Sequence, residues 1–118
     1  MVTSHTCELV DKDAINSLIS NLPGDDAIVR VSNIFHALQS GPRLKIMYLL
    51  LEKEMCVCEL EFALKMSQSA ISHNLRTLRQ LDLVRTKKKG RFVVYSVADE
   101  HVKMLLDLSR KHAMGCEL

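Results

Sequence analysis

Two cysteines, Cys56 and Cys58, stand two positions apart, and a third, Cys7, lies far ahead of them on a polar stretch. In mid-helix a spacing of two turns side chains about 200° apart, whereas in extended chain or at a helix start it leaves them on one side. Convergence of Cys56 and Cys58 on one ion therefore requires the pair to sit where a helix begins. Two thiolates leave a site incomplete, and Cys7 is the obvious third. Three sulfurs suit soft, large ions such as cadmium, lead or arsenite better than magnesium or calcium. The competing reading is that these cysteines are small core residues.

A second donor set lies near the carboxy terminus. His101 and His112 are eleven apart, which returns to within ~20° of the same helical face but ~16 Å further along the axis, so one helix cannot bring both to one zinc. Two such helices packed antiparallel in a dimer would set His101 of one copy against His112 of the other. Asp99 at the helix start could join them, giving two equivalent nitrogen and oxygen sites of the kind zinc accepts. The plainer alternative is two histidines on a solvated face.

A third constellation points to a polyanion. Between positions 67 and 91 there are seven basic residues, Arg76, Arg79, Arg85, Lys87, Lys88, Lys89 and Arg91, against the single acid Asp82. The local balance is +6 in a chain whose net is +2, so the remainder carries −4. A basic stripe on an acidic body is an electrostatic footprint for nucleic acid. Within it, Gln68, Ser69, Ser72, His73 and Arg76 share one face of a helix whose other face is Ala70, Ile71, Leu75, Leu78 and Leu81. Gln pairs with adenine, Arg with guanine, and Ser with bases or backbone, so this face has the groups a major groove reads. A solvated helix face is the alternative, and His73 counts only with its neighbours.

The elements that must position these groups follow from periodicity. Apolar residues at helical spacing predict helices over 11–22, ended by Pro23-Gly24, and over 25–38, ended by Gly41-Pro42. Leu44, Ile46, Met47, Leu49, Leu50 and Leu51 are apolar nearly all round, as in a helix buried on several sides. Two short helices, 58–66 and 67–81, then meet with no room for a long loop, and Ser67 can cap the second. Strands at 84–87 and 92–97 flank Lys88-Lys89-Gly90-Arg91, predicting a hairpin with a basic, exposed tip. A last helix over 99–113 carries Val102, Leu105, Leu106 and Ser109 on one stripe, with Met104 and Leu108 beside it. That stripe is wider than the remaining chain can cover, which predicts a homodimer. The fold class expected is mainly α with one β-hairpin, a winged helix-turn-helix, with an amino-terminal arm over 1–24 and the DNA-binding and dimerisation domain over 25–118.

Composition narrows the alternatives. A chain of 118 residues, 47% hydrophobic and 25% charged, matches one ordinary globular domain. Its longest apolar run, positions 46–51, is far below the ~20 residues of a membrane span. Positions 1–12 lack the apolar core of a secretory signal, so the expected compartment is the cytoplasm, where thiols stay reduced. Aromatic residues are only 4% with no Trp, too few for base-stacking platforms, which favours double-stranded over single-stranded nucleic acid. Neither a Gly-rich phosphate loop nor a Cys-x-x-Cys pair is present, and no enzyme is expected.

Taken together, Met55-Cys56-Val57-Cys58-Glu59-Leu60, Ser67-Gln68-Ser69-Ala70-Ile71-Ser72-His73-Asn74-Leu75-Arg76, Gly90-Arg91-Phe92-Val93-Val94-Tyr95-Ser96 and Asp99-Glu100-His101 resemble the ArsR/SmtB metalloregulatory repressors. The nearest subgroup is the CadC-type cadmium and lead sensors. The resemblance covers roughly 34–112 and implies a winged-helix homodimer that represses an operator, an imperfect inverted repeat in duplex DNA, and releases it on binding metal. It implies DNA contacts by Ser67, Gln68, Ser69, Ser72, His73 and Arg76, and by Lys88, Lys89 and Arg91 of the wing.

CadC-type sites draw two thiols from the arm and two from the Cys-Val-Cys box. Cys7 matches the first arm thiol, but Asp11 stands where the second would be, so the expected site is Cys7, Cys56 and Cys58 with or without an oxygen from Asp11 or water. Its inducers would be Cd(II) or Pb(II), with Zn(II) a further candidate. Arsenic repressors of the family carry a Cys where this chain has Glu61, which counts against an arsenite site within the helix. In SmtB-type relatives Asp99, His101 and His112 would form a zinc site completed by a carboxylate at the position of Gly115; here water, Glu117 or Cys116 must substitute. Two departures from the family pattern are Ser40-Gly41-Pro42 ahead of Arg43 in place of Asp-Pro, and Lys65 where a Gly is usual at the helix-turn-helix corner. A thiol-redox or arsenite sensor of the same fold is the alternative function.

Overall fold

The computed structural model describes residues 8–115. Six helices and one hairpin follow in the order α1 (Lys12–Ser20), α2 (Asp25–Leu38), α3 (Gly41–Glu52), α4 (Val57–Leu64), α5 (Gln68–Gln80), β1 (Val84–Lys89), β2 (Phe92–Val97) and α6 (Glu100–Met114). The chain divides into two compact units between Ser32 and Asn33, inside α2. In the first, the Asp11 carboxylate caps α1 by accepting from the Ala14 N–H at 3.1 Å, and α1 buries none of its residues.

The second unit holds the core. Ile46, Met47 and Leu50 of α3 meet Leu60 of α4, Ile71, Leu75 and Leu78 of α5, Leu83 and Val84 at the entry to β1, and Leu106 of α6. The all-round apolar pattern of α3 is thereby explained, since Leu44, Leu49 and Leu51 pack against the same cluster from other sides. Each such aliphatic side chain taken from water contributes about 1.5 to 3 kcal/mol.

Local signals start and stop the helices. Gly41-Pro42, expected as the stop of α2, is the first turn of α3. Ser40 caps α3 by accepting from the Arg43 N–H at 3.3 Å, and the proline sits in the first turn of α3, where its missing N–H would have found no partner anyway. Ser67 caps α5 in the same way through the Ala70 N–H, at 3.2 Å. Between α4 and α5, Lys65 adopts φ 55° and ψ 43°, the left-handed conformation that glycine would take without penalty.

The hairpin is antiparallel with Val84 opposite Val97 and Lys89 opposite Phe92. It is longer than the sequence suggested: β1 runs through Lys88 and Lys89, and the turn is Gly90-Arg91 alone, led by the glycine at φ 63°. A two-residue turn with glycine first matches the twist of paired strands, and it lets both strands reach six residues. Met55 adds one bridge to the outer side of β2, its N–H donating to the Tyr95 carbonyl at 3.1 Å and its carbonyl accepting from the Tyr95 N–H at 2.8 Å. No helix among the described residues is long and apolar enough to cross a membrane.

Candidate nucleic-acid interface and metal centre

The α4-turn-α5 unit places an amphipathic helix at the surface. Ile71, Leu75 and Leu78, at i, i+4 and i+7, are buried, which turns Gln68, Ser69, His73 and Arg76 to solvent with Ser72 half-buried. Ser67, also exposed, divides its hydroxyl between the cap and a 3.3 Å contact with the Ser69 hydroxyl. The middle of this helix is tied down by a residue the sequence did not single out for a role. Arg43 donates from Nε to the Ala37 carbonyl at 2.7 Å and from a guanidinium NH2 group to Asn74 Oδ1 at 3.2 Å. One planar side chain thus joins the carbonyl-rich end of α2 to α5, a geometry suited to guanidinium and not to ammonium.

On the hairpin, Lys88, Lys89 and Arg91 are exposed, yet their electrostatic settings differ. Lys89 pairs with Glu54 Oε1, and Lys87 lies 3.5 Å from Glu54 Oε2; these lysines, Lys89 first, hold the Glu54 carboxyl below its ordinary value of 4.5. Arg85 pairs with Asp82 at 3.3 Å. Lys88, Arg91, Arg76 and Arg79 have no ion pair among the described residues. Glu54 escaped the sequence reading because it lies more than thirty positions from its partners, outside the window over which the charge was counted.

Helix α4 begins at the cysteine pair. Cys56 is its N-cap residue, with extended φ and ψ of −88° and 171°, and Cys58 lies in the first turn. Both thiols are free, Cys56 half-buried and Cys58 exposed. The Glu59 carboxylate accepts from the Cys56 backbone N–H at 3.0 Å and pairs with Lys53 at 3.3 Å. Those two contacts, the Cys56 N–H first, hold its carboxyl below 4.5. A cavity of about 310 Å³ adjoins the site, lined by Cys56, Glu59, Lys89, Phe92 and Val94.

The histidine set is spread along α6. Asp99 caps this helix through the Val102 N–H at 3.0 Å, which with His101 beside it holds the carboxyl below 3.8. His101 Nδ1 lies 3.9 Å from Asp99 Oδ1, and the imidazole is 93% exposed. His112 is exposed three turns further along the same helix. Among the described residues no group of three or more His, Cys, Asp and Glu is arranged to hold a metal ion. Cys7, Cys116 and Glu117 lie outside the described residues.

The order of elements, with a capped polar helix following a tight turn and a basic hairpin behind it, is matched in sequence as well. Residues 40–86 match the family model described as bacterial regulatory protein, arsR family. A Staphylococcus aureus protein named as a homologue of the cadmium resistance transcriptional regulatory protein CadC is 35% identical over 114 residues, covering 94% of this chain and 93% of its own. The chain belongs to the ArsR family.

Among its other ArsR relatives, a Synechocystis protein named as a homologue of the transcriptional repressor SmtB is 39% identical over 97 residues, 82% of this chain and 74% of that one. The homodimeric winged helix-turn-helix DNA-binding domain of a possible ArsR-family regulator from Mycobacterium bovis, solved by NMR, superposes with a TM-score of 0.72 at 29% identity. That match covers 78% of this chain and 88% of the solved one. The ArsR fold is the expected winged helix, and its members are transcriptional regulators, not enzymes.

Proposed function

We propose that this ArsR-family chain is a cytoplasmic repressor that binds operator DNA as a homodimer and lets go when a soft heavy-metal ion, Cd(II) or Pb(II) and less specifically Zn(II), occupies Cys7, Cys56 and Cys58. The observation that carries this is the position of the Cys-Val-Cys box. Both free thiols sit at the start of α4, the helix that leads through a three-residue corner into α5. The donor chemistry fits a thiophilic ion, with Cys7 and water or Asp11 supplying what the box lacks. A soft ion bound there would tie the thiolates together, and the arm bearing Cys7 would then bear on α4 and, through it, on α5. Metal and operator need not touch: each weakens the other by the same factor, typically ~1 to 3 kcal/mol.

In the same reading Gln68, Ser69, Ser72, His73 and Arg76 enter the major groove, Ser67, Lys88 and Arg91 contact the backbone, while Lys89, expected as a further wing contact, is paired with Glu54, and a two-fold dimer reads an imperfect inverted repeat. The half-exposed stripe of α6, with Met104 and Leu108 each 57% exposed, is the surface that a second copy covers. Asp99, His101 and His112 form a secondary zinc site between two such helices.

The test uses a duplex selected by the protein itself from a random pool. Cys58→Ser is expected to bind it normally yet stay bound when Cd(II) is added, while His101→Ala still releases. Release that survives Cys58→Ser and fails with His101→Ala would move regulation to the α6 site. Release of the wild-type chain by mild oxidant but not by Cd(II) would make the thiols a redox sensor.

A further inference from the structure

Lys87 and Lys89 are two apart on β1, and the alternation of a strand puts them on the same face of the hairpin. Both ammonium groups meet one carboxylate, that of Glu54. Glu54 is not a loose surface chain. Its side chain is only 27% exposed, and the next residue, Met55, is locked to β2 by its two hydrogen bonds with Tyr95. The acid is therefore held against the wing by backbone pairing. Lys88, which alternates to the other face, and Arg91, at the turn, are left without an ion pair among the described residues.

We propose that Glu54 is a carboxylate brake on the wing. It occupies Lys87 and Lys89 in place of DNA phosphates, so that Lys88 and Arg91 alone deliver the wing's charge to the backbone. Phosphate contacts add affinity for every sequence alike. A wing with all four cations engaged would hold any duplex more tightly without choosing better among them, and a complex so held would be harder to empty by a modest change at a distant site. The assignment rests on this chain binding duplex DNA and on nothing about metal.

Glu54→Gln keeps the shape and removes the charge. Binding of a fluorescently labelled mixed-sequence duplex, followed by anisotropy across a sodium chloride series, is expected to be tighter for this variant. The dependence of log K on log salt should steepen by about 0.9 for each phosphate gained, so by about 1.8 if both lysines are released. Replacing Lys87 and Lys89 together by Gln is expected to change wild-type binding little, and to abolish the gain in the Glu54→Gln background. The wild-type arm of that comparison stands even if Glu54→Gln folds poorly. The proposal fails if Glu54→Gln folds and binds no more tightly, or if the paired lysine change weakens wild-type binding as much as it weakens the variant; Glu54 would then present the lysines to DNA or only fasten the hairpin. A wild-type chain that binds no duplex at all overturns the DNA-binding reading along with this one.

Discussion

At the scale of single residues, the side chains on α5 are not equivalent in what they can contribute. Gln68 and Arg76 carry the groups that pair bidentately with adenine and guanine, whereas the serines serve bases and phosphates without much discrimination. Gln68→Ala or Arg76→Ala is therefore expected to lose about 1 to 3 kcal/mol of preference for a selected duplex over a mixed-sequence one, measured by competition at fixed salt. Equal losses on both duplexes would reduce these residues to backbone contacts. Arg43 illustrates the opposite kind of role. It is half-buried, with Nε bonded to the Ala37 carbonyl and a second guanidinium nitrogen to Asn74 Oδ1, so it orients α5 from inside.

At the scale of elements, corners and caps decide how firmly the reading helix is set. Lys65 holds a conformation that costs an L-residue about 1 to 2 kcal/mol. Glycine there would remove that strain but lose about 0.5 to 1 kcal/mol to the freedom of the unfolded chain. Lys65→Gly is accordingly expected to stabilise the fold by roughly 0.5 to 1 kcal/mol, seen as a higher urea midpoint with an unchanged slope.

Helix α6 offers a pH test. Asp107 pairs with Lys111 at 3.1 Å and Arg110 at 3.2 Å, and these contacts, Lys111 first, hold its carboxyl below the ordinary 3.8. A depressed carboxyl stabilises the native state above that value, and the contribution disappears as pH falls through the lower folded value. Between about pH 5 and pH 2 the wild-type urea midpoint should fall more than that of Asp107→Asn. The difference is expected to be small, since the pair is exposed and screened.

At the scale of the whole molecule, charge and apolar surface divide the work. The basic window of 67–91 meets two acids in the fold, Asp82 beside Arg85 and Glu54 beside Lys87 and Lys89. The cations of that window left without an ion pair among the described residues, Arg76, Arg79, Lys88 and Arg91, are on α5 and at the end of the hairpin. On α6, Met104 and Leu108 are exposed in the single chain, while Tyr48 Oη donates to the Leu106 carbonyl at 2.9 Å and fixes that helix against α3. Leu108→Glu should leave each copy folded, since an exposed position tolerates substitution within about 0.5 kcal/mol. It is expected to shift sedimentation from dimer to monomer and to weaken operator binding with it. A variant that stays dimeric would place the two-fold contact elsewhere.

The sequence by itself determined whatever depends on neighbours three or four positions apart. Helical periodicity located α1 to α6, Ser67 was available as a cap, and the buried face of α5 fixed by elimination which side chains meet solvent. The need for a helix to start at Cys56 could be stated from the two-residue spacing alone. Only the tertiary structure decided the rest. The hairpin turn shrank to Gly90-Arg91 because β1 and β2 extend each other's pairing. Glu54 reached the wing because Met55 pairs with Tyr95, forty positions away, and Arg43 reached Asn74, thirty-one positions away. Backbone geometry imposes the short spacings on any chain with this pattern, while long-range partners are chosen by which packed arrangement buries the core, and no local rule contains that choice.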